Sequence, residues 1–592
     1  MVAPGSDVLD QASRAGSLAR LRATDRDNPL DVLIVGGGVV GCGSALDASQ
    51  RGLTVGLVER NDLASGTSSR SSRLAHGGLR YLEQREFALV HEALTERGLL
   101  LDRLAPHLVR PVPFLFPVTH RGWERPYVGF GIQVYDLLAR LGAYGGWMQR
   151  PRTLSAKAVI GIAPGIKPDS MVGAVRFTDA QIDDARHTVA VARTATAHGA
   201  AIATRASAVR LIREDGRVVG VVVRDEVNGH EFEVRARAVL CAAGVWTDEL
   251  LAMADPESHG AVRQSKGVHL VIPREAFPST SALIARTQAS VLFLLPWGQH
   301  WLVGTTDTDY TGDRDEPQID EADVDYLIEQ ANRWLARPLT RADVVGVYSG
   351  LRPLLSSGAG ENETATLSRE HAVLRPAPGL VMIAGGKYTT YRVMAADAVD
   401  AAVDARAETI NDIVPESHTD ELPLVGAAGY SAAWASRERT AKAAELPVAT
   451  VEHLLRRHGD RVRDVLDLVA NDRALAEPLH PEAPYLMAEA VVAVSREGAL
   501  GLADVLVRRT RVALETRDGA TSVARKVGEV LAPLLGWDEA KLEAEVASVH
   551  RRVDALRPVP GGAADQNLVQ ADELSPTEAD LVGPLPMEPP TP

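Results

Sequence analysis

Residues 31–60 read DVLIVGGGVVGCGSALDASQRGLTVGLVER. The run 31–35 is short and apolar, the composition of a strand buried on both faces of a parallel sheet. Glycines follow as Gly36-x-Gly38-x-x-Gly41. A helix of small residues is expected from about Val39 to Arg51, and a second strand from Thr54 to Glu59. In such a βαβ unit Gly36 permits the tight turn, Gly38 lets a diphosphate approach the backbone, and Gly41 lets the helix pack close to the strand. The helix then points its free N–H groups at the diphosphate. Glu59 ends the second strand, 18 residues past Gly41, where its carboxylate can accept from a ribose hydroxyl. The unit reads as a dinucleotide site. The glycines alone do not separate FAD from NAD.

Working outward, 592 residues exceed what one core holds, since cores stop growing near about 250–300 residues. A net charge of −15 argues against general nucleic-acid binding, which needs a basic footprint. Hydrophobic and charged contents of 45% and 24% are those of a globular protein. Two cysteines, Cys42 and Cys241, leave no disulfide framework or cysteine zinc site and fit a reducing, cytoplasmic compartment. No metal site is expected. No apolar run is long enough to span a membrane, and residues 1–28, read as an N-terminal extension, have no apolar core of a signal peptide. Residues 558–592 hold six acids, eight prolines and no Lys or Arg, so 557–592 reads as a disordered acidic tail.

Between these ends the pattern is mixed. A helix is expected from about Leu82 to Ala105. Residues 203–240 read as a β-meander with turns at Asp215-Gly216 and Asn228-Gly229, running into a strand and glycine turn at VLCAAG. Residues 291–306 read as a hairpin, and 380–403 as strand, glycine turn and helix. After about Pro415 the periodicity is helical only, which sets 415–556 apart as a helical domain. The meander and the terminal strand–turn–helix recur in two-domain flavoproteins, whose FAD domain is assembled from distant segments; a plain NAD dehydrogenase needs neither.

Six stretches, RSSRLAHGGLRYLE (70–83), SKGVHLVIP (265–273), GTTDTDY (304–310), SGLRPLL (349–355), SREH (368–371) and AGGKYTTYR (384–392), resemble FAD-dependent glycerol-3-phosphate dehydrogenases in order and spacing. The resemblance runs from about residue 28 to 550. It implies an α/β, two-domain flavoprotein of the D-amino-acid-oxidase type, with a Rossmann-like FAD domain, a β-sheet substrate domain and a C-terminal helical domain. It places the FAD domain at 29–110, 170–262 and 340–410, and the substrate domain at 111–169 and 263–339. It implies oxidation of sn-glycerol 3-phosphate to dihydroxyacetone phosphate, with reoxidation by a membrane quinone.

The residue types agree. A phosphate dianion on a small polyol needs several cations, and arginine's planar fork suits phosphate. Arg80, Arg352, Arg369 and Lys387 resemble the family's phosphate and substrate cations, with Tyr81 beside them. Arg70 and Arg73 are set aside as surface or loop-bracing cations. His269 is the candidate base, because a neutral imidazole near pH 7 can take the hydroxyl proton. Ser68, Ser72, His76, Gly77, Gly78, Leu79, Ala243, Gly244, Gly386, Thr389 and Thr390 are expected against the cofactor. His76 is read as bracing the flavin loop, and Asp307 as a carboxylate that fixes a loop. Rival readings are a flavin amine or amino-acid oxidase, a glycerol-3-phosphate oxidase using oxygen, and a flavin-bearing interaction protein without turnover. Residues 121–150 carry six aromatics among arginines, namely Trp123, Tyr127, Phe130, Tyr135, Tyr144 and Trp147. That composition suits peripheral contact with anionic lipid on the inner face of the plasma membrane, or a cap on the substrate domain. Packing or homodimerisation is the role left for the C-terminal helices.

Overall fold

The structure is a computed structural model of the chain. It describes residues 5–556 except 79, 84, 121, 142–147, 256, 258–259, 261, 288–290, 356–370, 408–409 and 411; the side chains of Arg80 and Glu83 also lie outside the description.

Two sheets organise the described residues. The first is built on the strand Leu30–Val35, which pairs in parallel with Val55–Glu59 on one side and Glu231–Cys241 on the other. Ala201–Thr204 and Leu380–Gly385 extend it in parallel, and His371–Ala377 closes one edge antiparallel. Between the two parallel strands lies the helix Val39–Gln50, ten of whose residues are buried. It packs between the helices Asp184–Ala197 and Tyr391–Ala407. Its small side chains are what permit this: a Cβ on Gly43 would stand 3.1 Å from the Tyr391 ring. The meander is present as Ala206–Glu214, Arg217–Asp225 and Glu231–Cys241. Asp215 and Gly216 both adopt positive φ, as the two-residue turn requires.

The second sheet has Val262–Pro273 paired with Gly346–Leu355, His300–Gly304 and Thr308–Asp309, and continues through the hairpin at 291–304 and Ala282–Arg286 to Val109–Val118 and Gly173–Ile182. The strands Gly173–Ile182 and Gly346–Leu355, from segments expected in the FAD domain, pair within this second sheet and not the first. Both are apolar enough for either sheet, and only their long-range pairing decides. Residues 1–28 are also more than an extension. The helix Gln11–Arg22 buries Leu18 and Leu21 against the first sheet, and Asp10 caps it. The expected helix at 82–105 is broken: Arg80–Glu83 and Phe87–Leu99 are separate helices, with Arg85 in a left-handed conformation between them.

From Tyr430 onward the described chain is helical, with its own cores around Val451, Leu454 and Val465 and around Val505, Val527 and Leu531. The tail from 557 lies outside the described residues.

Candidate active site

The glycine turn has the shape the sequence demands. Gly36 has φ 115°, and a Cβ there would meet the Ala242 carbonyl oxygen at 2.6 Å. A Cβ on Gly41 would stand 1.9 Å from the Gly36 oxygen. Gly37 is equally constrained, since a Cβ would meet the Glu59 side chain at 2.8 Å. Glu59 accepts from the Gly37 N–H at 2.6 Å and from the Asn61 N–H at 2.6 Å. Burial pushes its carboxyl above the usual carboxylate range, and those two N–H groups pull against it. Each oxygen keeps a lone pair for a hydroxyl. Ser68 Oγ accepts from the buried Val39 N–H at 2.9 Å, at the start of the helix.

A long cleft runs from this turn to the second sheet. Gly36, Gly38, Glu59, Ser68, Ser72, His76, Tyr81, Ala243, Gly244, His269, Arg352, Gly386, Lys387 and Thr389 all line it. Gly41, Gly77, Gly78 and Thr390 stand behind its wall. Gly77 is wedged against Leu94 and the Tyr135 hydroxyl, to which its N–H donates at 2.7 Å. Gly78 has φ 74°, and a Cβ would strike the Tyr81 ring. His76 ties this turn to the strand–turn–helix: its N–H donates to Thr389 Oγ1 at 3.0 Å and its Nδ1 accepts from Gly78 at 3.1 Å. Thr390 Oγ1 is turned to the Lys387 carbonyl. Leu79 and Arg369 lie outside the described residues, as do the Arg80 side chain, Tyr144 and Trp147.

Three of the expected groups, His269, Arg352 and Lys387, line this same cleft. His269 is buried on the strand Val262–Pro273, its ring stacked on Tyr348 at 4.8 Å and 5°. Room for the ring exists because residue 304 opposite is glycine; a Cβ there would be 2.3 Å from His269 Cδ2. Nε2 shares a hydrogen with Ser72 Oγ at 2.9 Å. Burial, and then the cations Arg352 and Arg73, push the imidazole down to about 3, so it is neutral at pH 7.

Arg352 crosses over Gly267 and donates to Ser265 Oγ (3.0 Å), Asp307 Oδ1 (3.2 Å), Thr305 Oγ1 (3.2 Å) and the Thr306 carbonyl (3.1 Å). Asp307 is thus the carboxylate that fixes this arginine. Lys387 places its ammonium 3.5 Å from the centroid of the Tyr81 ring, a close cation–π contact. Arg70 donates to the Asp315 carbonyl at 2.8 Å. Arg73 is 1% exposed, so it braces the interior and is no surface cation; it lies over Trp297 at 3.8 Å and near Tyr348 at 5.2 Å.

Tyr348 escaped sequence reading, because its place beside His269 comes from strand register alone. Of the aromatics read as either lipid-facing or part of a cap, Tyr135 points inward and donates to Asp179 Oδ2 at 2.7 Å. The helix Glu124–Leu141 buries Val128, Ile132, Tyr135 and Ala139, a helical stripe visible in the spacing.

The chain matches the family model for FAD dependent oxidoreductases over residues 31–400, and a second model, the C-terminal domain of alpha-glycerophosphate oxidase, over 417–542. The glycine turn, the buried acid and the cleft that joins the two sheets are the shape such a cofactor needs. Glycerol-3-phosphate dehydrogenase 2 of Mycobacterium tuberculosis is 50% identical over 551 residues, covering 93% of this chain and 91% of the relative. The glycerol-3-phosphate dehydrogenase of Mycobacterium leprae is 49% identical over 558 residues, covering 93% of each. A solved structure of a glycerol-3-phosphate dehydrogenase from Bacillus halodurans complexed with FAD matches with a TM-score of 0.74 and 27% identity, over 93% of this chain and 98% of that one. The chain belongs to the FAD-dependent oxidoreductase family, among its glycerol-3-phosphate dehydrogenases. Its cofactor is FAD.

Proposed function

We propose that the chain oxidises sn-glycerol 3-phosphate to dihydroxyacetone phosphate, with hydride transfer to FAD and onward passage of the electrons to a quinone. The observation that best supports this reading is that Arg352, Lys387 and a neutral His269 line the same cleft as the dinucleotide turn. Gly36, Gly38, Glu59 and Ser68 would hold the diphosphate and ribose, and Ser72, His76, Ala243, Gly244, Gly386 and Thr389 the rest of the cofactor. Bound FAD supplies the electron-pair acceptor for the carbinol carbon.

Arg352 and Lys387, with Arg80 and Arg369 from the motif, receive the phosphate. His269 takes the hydroxyl proton. Ser72 Oγ lines the cleft and shares a hydrogen with Nε2, so it is in place to hand that proton on. The phosphate also adjusts the base. Arg352 is one of the cations that hold the ring neutral, and a dianion beside it offsets that charge and raises the ring's basicity as substrate arrives.

The test is anaerobic. Glycerol 3-phosphate under argon should bleach the flavin absorbance, while glycerol and free amino acids should not. Retained colour with glycerol 3-phosphate would overturn the reading. Oxygen as acceptor is the second reading, favoured by the C-terminal match to the alpha-glycerophosphate oxidase domain. Stoichiometric hydrogen peroxide without quinone reduction would select it. For location we propose the cytoplasm, with peripheral contact through the outer face of the helix Glu124–Leu141; no helix among the described residues is long and apolar enough to cross a membrane.

A further inference from the structure

The helical domain carries no motif of the reaction, yet one of its arginines reaches the cofactor loop. Arg511 is 1% exposed and sits in a left-handed conformation with φ 73°. A non-glycine residue persists there only where its surroundings hold it. Its Nη1 donates to the Ser69 carbonyl at 2.9 Å. Its Nη2 donates to Asp183 Oδ1 at 3.2 Å and also to Asp184 Oδ1. Asp184, 0% exposed, turns its other oxygen to the same loop and accepts from the Ser71 N–H at 3.1 Å and the Ser71 hydroxyl at 2.7 Å. Tyr348 donates to the Ser71 carbonyl at 3.0 Å.

Residues 69 and 71 are therefore gripped from behind. The residues on either side do the visible work. Ser68 meets the first N–H of the dinucleotide helix, and Ser72 meets His269. Neither contact survives if the segment between them shifts by an ångström, because both are single hydrogen bonds from short side chains. The N–H fork of one arginine spans Ser69 and Asp184, which a lysine's point charge cannot reproduce.

We propose that Arg511, supplied by the C-terminal helical domain, is a positioning residue for the loop 66–72: acting through Asp184, it holds Ser68 against the dinucleotide helix and Ser72 against the imidazole. The helical domain then serves cofactor binding directly. The proposal rests on the family's cofactor and not on the assigned substrate, so its failure would leave the bleaching test untouched.

The experiment compares Arg511→Gln, Arg511→Lys, Asp184→Asn and Arg186→Gln in the full chain. Arg186 is the control. It forms a buried pair with Glu497 of the helical domain, at 2.6 Å and 2.7 Å, and its other side-chain hydrogen bonds go to the Arg457 carbonyl and the His458 ring, away from the loop. Two readouts need no substrate: the FAD dissociation constant from flavin fluorescence, and hydrogen exchange of the amides of 66–72. Arg511→Gln should raise the FAD dissociation constant about tenfold or more and speed exchange of 66–72 alongside, the size expected from losing one or two charged hydrogen bonds. Arg511→Lys should recover part of the loss. Adding Asp184→Asn to Arg511→Gln should cost little more, since the two act as one unit. Arg186→Gln should lower the melting temperature while leaving FAD affinity within about twofold of wild type. Equal effects of Arg186→Gln and Arg511→Gln on FAD affinity would overturn the proposal, as would unchanged exchange of 66–72 in Arg511→Gln. If Arg511→Gln does not fold, Asp184→Asn alone decides on the same two readouts, because Asp184 stands behind the loop and does not line the cleft.

Discussion

Replacing Arg352 by alanine tests the phosphate assignment most sharply, because the structure divides its effect into two parts. The first is the lost contact with the dianion. A hydrogen bond to a charged group is worth about 1.5–3 kcal/mol, or roughly 10- to 150-fold in apparent affinity. The second is Asp307. Its side chain is 10% exposed and takes hydrogen bonds from Ser265 and Arg352. Without the arginine, the Asp307 carboxylate leaves a like charge next to the position that Arg352 offers the phosphate. Arg352→Ala should therefore sit at the upper end of the range, and Arg352→Ala with Asp307→Asn should recover the repulsive part while remaining about tenfold above wild type. The assay is anaerobic flavin reduction across glycerol 3-phosphate concentrations, with FAD content checked by absorbance. A rise in KM below about threefold in the single variant would refute the phosphate role. So would a double variant that returns to wild type, because Arg352 would then serve only to neutralise Asp307.

Gly41→Ala should yield protein without FAD, since the new Cβ would stand 1.9 Å from the Gly36 oxygen and force the turn open; a full flavin-to-protein ratio after purification would contradict this. His269→Asn should slow flavin reduction by about 100-fold or more while FAD stays bound; reduction at the wild-type rate would contradict the base assignment. Stability should fall on acidification. His107, His187 and His269 are pushed down to about 3 and His458 to about 4, chiefly by burial, so the unfolded chain takes up protons that the folded one refuses. Their contribution is intact above pH 6.5 and declines as pH drops toward 4, by about 2 kcal/mol per histidine between pH 6.5 and 5; a urea midpoint no lower at pH 5 than at pH 7 would contradict it. Full-length protein should float with anionic vesicles, and Phe130→Asp should weaken this, as Phe130 is 69% exposed and Trp123 and Tyr127 flank it; wild-type protein that stays at the bottom of the gradient would end the idea.

What the sequence made legible was local. The βαβ unit, the two turns of the meander and the strand–turn–helix at 380–403 each fit within about 40 residues, where periodicity and turn chemistry act directly. The glycine turn even carried more information than was read from it, since Gly37 is as constrained as its neighbours. The sheet that holds Gly173–Ile182 and Gly346–Leu355 was not legible, because an apolar strand does not record which sheet receives it. His269, Arg352 and Lys387 could be named from their motifs. Tyr348, Ser265 and Thr305, which shape the space around them, could not, since their places come from strand register. The Arg511–Asp184 pair spans 327 positions, beyond any pattern in the primary structure.

The order of strands in the first sheet has a consequence for biosynthesis. Leu30–Val35 emerges first, but one of its neighbours is Glu231–Cys241, whose own neighbour is Leu380–Gly385. The wall that carries Gly386 and Lys387 follows that last strand. At about 5–20 residues per second, the roughly 350 residues between the nucleotide turn and Leu380–Gly385 take on the order of 20–70 seconds to emerge, and the sheet stays unfinished until they do. During the earlier part of that interval the strand has Val55–Glu59 on one edge and nothing on the other, so this chain should depend on chaperones early in synthesis, and flavin capture should wait until Leu380–Gly385 has emerged.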